Sequence, residues 1–156
     1  MQKRNYRVDN VELNWAKLDK PVAPFGTEQW ELQIATTDKA VADELSANHL
    51  TVKERDGKFT VSLKRKAKKA DGTPNKPVLV VDAATKELDP AIIGNGSIGN
   101  VQLFQYPYDT AGRKGIATQL VAVQVVQLEE YNPAGGFSVI EGADASDDEG
   151  DIAVMF

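Results

Sequence analysis

Apolar and polar residues alternate with a period of two over much of this chain, and the alternation is longest between Ile98 and Leu128. From Ile98 to Tyr108 the odd positions carry Val101 and Leu103, and the even positions carry Gln102, Phe104, Tyr106 and Tyr108. Side chains alternate across a strand, so one face receives aliphatics and the other a row of aromatics. Asp109, Thr110, Ala111 and Gly112 supply turn chemistry, and Arg113 and Lys114 follow directly. From Gly115 to Leu128 apolar residues fall on both faces, which suits a long central strand in a curled sheet. The pattern predicts one long hairpin. Aromatics beside cations offer a stacking platform for single-stranded nucleic acid, and the same row could be the second half of a barrel core.

Shorter alternations predict the remaining strands. Val8 to Leu18 places Val11, Leu13, Trp15 and Lys17 on one face, which puts Trp15 in the core by pattern alone. Pro21, Pro24 and Gly26 make a loop. Glu28 to Ala35 buries Trp30, Leu32 and Ile34. Thr36 to Asp38 are good N-cap residues for a short helix, Asp38 to Ala47, with Val41 and Leu45 as its apolar stripe. Asp56-Gly57 marks a tight hairpin. Around it Leu50, Val52, Phe59, Val61 and Leu63 form the buried face, and Lys53, Arg55, Lys58, Lys64 and Lys66 the opposite one. Arg65, Lys68 and Lys69 carry the positive charge into the loop that follows. Lys58 to Lys69 holds six bases and no acid. Lysines on an edge strand deter pairing with other sheets. The density and continuity of these favour a track for phosphates. Val78 to Val81 is a short buried strand, and Asp82 to Leu88 a turn or a single helical turn.

Composition sets the bounds. The 156 residues suit one domain, 1–140, followed by an acidic segment, 141–156. No apolar run approaches a membrane span, and Met1 to Asn10 has no signal-peptide character. The absence of cysteine removes disulfides, thiolate metal sites and thiol nucleophiles. Met1 to Arg7, with Lys3, Arg4 and Arg7, reads as a frayed and solvated start. The net charge of −5 hides an asymmetry. Residues 141–156 hold six acids and no base, which leaves 18 bases against 17 acids, or +1, elsewhere. That segment cannot form a core, yet it ends in Ile152-Ala153-Val154-Met155-Phe156, an apolar end suited to capture by a partner.

Catalytic constellations do not emerge. Gly94-Asn95-Gly96-Ser97-Ile98-Gly99 formally matches a dinucleotide fingerprint, but a strand follows where a helix is required. Its glycines instead suit a tight lead into the long strand and a close backbone approach. No nucleophile elbow, paired-histidine motif or Walker loop is present, and His49 has no partner cluster. Asp144, Asp147, Asp148 and Asp151 lack the spacing of a calcium loop. The chain reads as a non-enzyme with no cofactor and no metal.

A β-rich body, a basic sheet face, an aromatic row and an acidic end together resemble the single-stranded-DNA-binding proteins of bacteriophages, in particular the short-tailed-phage type. The resemblance is carried by Asn14-Trp15-Ala16-Lys17-Leu18, by Ile93-Gly94-Asn95-Gly96-Ser97-Ile98, by Tyr106, by Gly112-Arg113-Lys114-Gly115 and by Leu120-Val121-Ala122-Val123-Gln124-Val125-Val126. It implies an OB fold, a five-stranded Greek-key barrel that binds single-stranded DNA in a groove during replication and recombination. The groove residues it implies are Trp15, Lys17, Tyr106, Tyr108, Arg113 and Lys114. Lys64, Arg65, Lys66, Lys68 and Lys69 join them on charge alone. The acidic tail, with Asp147, Asp148, Glu149, Asp151 and Phe156, is expected to compete for the groove and to recruit a polymerase, helicase/primase or nuclease. The resemblance further implies a homodimer, no membrane association, and residence in the cytoplasm of an infected bacterial host. The rival reading is a phage structural or assembly protein whose acidic tail masks a basic surface.

Overall fold

The computed structural model describes residues 2–131. The acidic segment, with Asp147, Asp148, Glu149, Asp151 and Phe156, lies outside the described residues. Strand β1 (Arg4–Val22) is followed by β2 (Gln29–Thr36), helix α1 (Lys39–Ala47), β3 (Lys53–Arg55), β4 (Lys58–Lys66) and β5 (Leu79–Asp82). A 3₁₀ turn at Pro90–Ile92 leads to the long pair β6 (Ser97–Thr110) and β7 (Arg113–Gln127). All seven strands join one sheet in the order β3-β4-β2-β1-β6-β7-β5. Neighbours are antiparallel except β5 and β7, which run parallel. The sheet curls until β4 approaches β7, so β4, β2, β1, β6 and β7 form the expected five-stranded barrel. β3 extends it as a hairpin with β4, and β5 as a parallel strand outside β7.

The alternation read from the sequence becomes the division between inside and outside. Val101 and Leu103 of β6 point inward and are fully buried, while Phe104 and Tyr106 point outward and are half-buried. The aromatic row is therefore not the barrel core. Leu13, Leu32, Ile34, Leu103 and Leu120 fill the centre, and Trp30 is buried as expected. Each such aliphatic contributes roughly 1.5–3 kcal/mol on leaving water. The surface pairs Arg7–Asp9 and Lys39–Asp43 contribute about 1 kcal/mol at most. The inward rows, not ion pairs, hold the barrel together.

Helix α1 starts where its cap predicts, with Asp38 accepting from the Ala40 amide at 2.9 Å. Its buried residues are Ala42 and Leu45, with Val41 partly buried against the core. The segment 82–88 is a turn rather than a helical turn. Asp82 Oδ1 accepts from the amides of Ala84 and Lys86 at 2.8 and 3.0 Å.

The basic start of the chain is not frayed. β1 begins at Arg4, whose guanidinium meets Gln105, the one deeply buried side-chain amide among the described residues. Gln105 Oε1 accepts from Arg4 Nε and Nη2 at 2.9 and 2.7 Å, and its Nε2 donates to the Asn48 carbonyl (2.8 Å) and to Thr118 Oγ1 (3.1 Å). Arg4 also donates to Asn48 Oδ1 at 2.8 Å. An unpaired buried amide would cost about 1–3 kcal/mol. Here every polar atom is satisfied, and the network ties the start of β1, the end of α1, β6 and β7 together.

On the outer face Lys58 Nζ donates to both oxygens of Glu12, at 3.0 and 3.1 Å. That bond holds the Glu12 carboxyl below the usual glutamate range, against a smaller opposing push from burial. A depressed folded-state pKa contributes stability that is fully present above the ordinary glutamate pKa and lost as pH falls through the depressed value. Glu12→Gln should therefore lower stability at neutral pH and flatten the pH dependence between those two values. Acid denaturation followed by circular dichroism checks this, and an unaltered acid limb would contradict it.

Candidate nucleic-acid interface

The site is built on an irregularity in β1. Regular alternation would bury Trp15 with Val11 and Leu13. Instead the pairing of β1 with β2 shifts register between Asn14 and Lys17, and Trp15 takes a left-handed φ of 51°. The indole turns outward and is 62% exposed. The core placement that alternation predicts for Trp15 is thereby corrected, because one extra residue in a bulge reverses which face a side chain occupies.

The bulge is clasped from the glycine-rich segment before β6. The Trp15 amide donates to Asn95 Oδ1 at 2.8 Å, and the Gly96 amide donates to Asn14 Oδ1 at 2.9 Å. Two asparagines thus hold each other's backbones. The segment is anchored in turn by Ser97, fully buried, whose hydroxyl donates to the Gly94 carbonyl at 2.8 Å and accepts from the Glu129 amide at 2.9 Å. Gly99 sits against β7 so closely that a Cβ would lie 2.4 Å from the Gln124 carbonyl oxygen. The glycines serve close backbone approach, as the sequence suggested.

From Trp15 a cleft of about 550 Å³ crosses the outer face of β2 and β4, past Glu31, Gln33, Ser62 and Lys64. It ends at Ile116 and Thr118 of β7, with His49 and Thr51 at its side. Register places Lys17 opposite Glu31, Glu31 opposite Lys64, and Gln29 opposite Lys66. Lys17, Lys64 and Lys66 are exposed, and none is in an ion pair among the described residues. Lys68 and Lys69 continue the charge into the adjoining loop. Lys68 lies beside the β1–β2 loop, where Gly26, Thr27 and Glu28 share a small pocket with it. At the tip of that loop Phe25 is 94% exposed.

The other sequence-predicted residues lie elsewhere. Arg65 belongs to the inward row of β4, between Leu63 and Ala67, and closes the seam of the barrel. Its guanidinium donates to the Lys76 carbonyl (2.6 Å) and Asn75 Oδ1 (3.0 Å), and comes within 3.5 Å of the Leu120 carbonyl. Burial pulls its pKa down. Its donors are used inside the protein, while those of Lys64 and Lys66 face solvent. Tyr106 and Tyr108 stand on the face of the β6–β7 hairpin that points away from the cleft. Tyr106 pairs with Ala117 and Tyr108 with Gly115, whereas the cleft-lining Ile116 and Thr118 pair with Pro107 and Gln105. By the same register Arg113 sits with the tyrosines, opposite Thr110, and Lys114 sits with the cleft side, opposite Asp109.

Ile116, Thr118 and Phe25 were not among the residues singled out from sequence, and His49 was given no role there. The period-two pattern of β7 did carry a signal for Ile116 and Thr118, which share a face. None pointed to His49, whose position depends on where α1 ends and on a left-handed φ of 68°. Among the described residues no three His, Asp or Glu side chains cluster as metal ligands, and no helix is long and apolar enough to cross a membrane.

Comparison with solved structures places this architecture. The single-stranded DNA-binding protein of bacteriophage Enc34, in complex with single-stranded DNA, superposes with a TM-score of 0.59 at 15% identity, over 82% of this chain and 89% of that one. The single-stranded DNA binding protein encoded by bacteriophage T7 superposes with a TM-score of 0.59 at 21% identity, over 90% of this chain and all of that one. The fold is that of the phage single-stranded-DNA-binding proteins. No protein-family model matches the chain, and no curated protein sequence does. The likeness thus lies in the fold.

Proposed function

We propose that this chain binds single-stranded DNA without sequence preference, in the cleft across β1, β2 and β4, and performs no covalent chemistry. The observation that carries the reading is Trp15, an indole held in solvent by a clasped left-handed bulge, at one end of a cleft flanked by Lys17, Lys64 and Lys66. Every base has a π-face, so stacking on an indole is indifferent to sequence. Lysines neutralise phosphates and release counterions, which makes the affinity fall with salt. The solved neighbours, one of them a complex with single-stranded DNA, support the same reading.

Tryptophan fluorescence tests it directly, because Trp30 is buried and Trp15 is exposed in the cleft. Titration with a homopolymer single strand should quench the emission to saturation, less so as salt rises and much less with duplex. Trp15→Phe should remove the response. Equal responses to single strand and duplex would defeat the groove and favour an assembly protein with a masked basic surface.

In this proposal the protein serves phage DNA replication and recombination in the cytoplasm of the host, with a homodimer as its assembled form. The acidic segment 141–156 mimics a phosphate chain, occupies the lysine-lined cleft when DNA is absent, and offers Phe156 to a polymerase, helicase/primase or nuclease once displaced. Deleting residues 141–156 should tighten single-strand binding, most of all at low salt where charge competition is least screened. Unchanged affinity across a salt series would exclude the competition.

A further inference from the structure

The outward face of β1, β6 and β7 has the chemistry of the cleft but lies on another side of the barrel. Phe104, Tyr106 and Tyr108 form a continuous row along β6. The rings of Phe104 and Tyr106 are 5.8 Å apart between centroids and tilted by 31°, and neither is fully covered. On the neighbouring strand Asn5 pairs with Phe104 and Arg7 with Gln102, so alternation brings both to this same face, and the exposed Lys3 immediately precedes the strand. At the hairpin tip Arg113 joins from β7. On the outward rows where β1 pairs with β6 the carboxylates are Asp9, held by Arg7 at 2.6 Å, and Glu12, held by Lys58 at 3.0 and 3.1 Å. A purely structural outer face needs neither a run of three aromatics nor the tying of each nearby acid to a base. A face for a protein partner would tolerate both charges.

We propose that this face is a second binding surface for single-stranded DNA, so that one chain holds two separate strands, one in the Trp15 cleft and one along the Phe104–Tyr108 row. The inference rests on the single-strand reading of the cleft and extends it. Bases stack on the aromatic row while Lys3 and Arg113 flank it as phosphate contacts. The ribbon of β6 and β7 separates the two surfaces, since Ile116 and Thr118 face the cleft and Tyr106 and Tyr108 face away. Occupancy of one does not block the other.

The test uses the full chain and an oligothymidylate carrying 5-iododeoxyuridine, roughly 8 nucleotides long so that it fits a single site. Native mass spectrometry counts oligonucleotides per chain, and photo-crosslinking maps the contacted residues. The expected result is two oligonucleotides per chain, with crosslinks at Trp15 and, separately, at Phe104, Tyr106 or Tyr108. The double variant Phe104→Ala/Tyr106→Ala should retain one oligonucleotide and the Trp15 crosslink. Trp15→Ala should retain one and the Tyr106 crosslink. One oligonucleotide per wild-type chain, crosslinked at Trp15 alone, overturns the second surface and leaves the cleft reading intact. One crosslinked only along the Phe104–Tyr108 row overturns the two-strand proposal and moves the site. No bound oligonucleotide overturns both. The crosslink map is made on the unaltered chain, so the outcome does not depend on a variant that fails to fold.

Discussion

Replacing Trp15 with alanine should lower single-strand affinity by about 1–3 kcal/mol, roughly 5- to 150-fold, with little change in thermal stability. The size follows from losing one stacked base. The selectivity for binding over stability follows from exposure, because a side chain 62% open to solvent gives the barrel little to lose. The clasp supplies an independent check. Asn95→Ala removes the acceptor that meets the Trp15 amide at 2.8 Å and should lower affinity in the same direction but by less. Asn95→Asp keeps an oxygen at that position and should recover most of the loss. Binding isotherms at fixed salt, with melting curves alongside, separate the possibilities. If Trp15→Ala melts the protein while sparing affinity, the indole is a packing group and the cleft loses its stacking platform.

The largest effect on folding is expected at Gly99. A Cβ there would sit 2.4 Å from the Gln124 carbonyl oxygen and 2.9 Å from Leu13 Cδ1. The first is backbone in the neighbouring strand and cannot swing aside, so Gly99→Ala must push β6 and β7 apart where β1 packs against them. Overpacking of this kind costs about 1–3 kcal/mol, and backbone displacement sets Gly99 toward the upper end. The thermal midpoint should fall by several degrees. Gly112 is the contrasting case. A Cβ there meets nothing within 4 Å, and only its φ of +81° in the hairpin turn resists substitution. Gly112→Asn should therefore be mild, since asparagine tolerates that conformation. Equal melting temperatures for Gly99→Ala and the wild type would show that β7 yields more readily than its packing implies.

What the sequence made legible were features with a local period. The inward rows of β2, β4 and β6, the cap of α1 and the Asp56-Gly57 turn each follow from residues within one element, and each was found where the pattern put it. Trp15 was misplaced by pattern because a bulge adds one residue and reverses every face beyond it. The bulge depends on Asn95, eighty positions away. Arg4 was misjudged for a similar reason, since its partners Asn48 and Gln105 are remote in sequence. Arg65 was grouped with the lysines by charge, although its parity with Val61 and Leu63 already marked it as inward. The aromatic row was read correctly as one face, but which side of the barrel that face occupies depends on how the sheet curls. The motifs that carried the resemblance, Asn14-Trp15 and Gly94 to Ser97, turn out to be two halves of one clasp.

The position of β1 has a consequence for synthesis. Its first half finds its partner in β6, where Arg4 pairs with Gln105, 101 residues later. A chain emerging from the ribosome presents β1 long before β6 exists. During that interval β2 covers only the second half of β1, and the first half offers open amides and carbonyls to any other extended chain. Pairings at such long separation also place folding in the slower, millisecond-to-second range of small β-domains. The barrel can close only once β7, which ends at Gln127, has been made, so the yield of folded protein depends on keeping nascent copies apart until then.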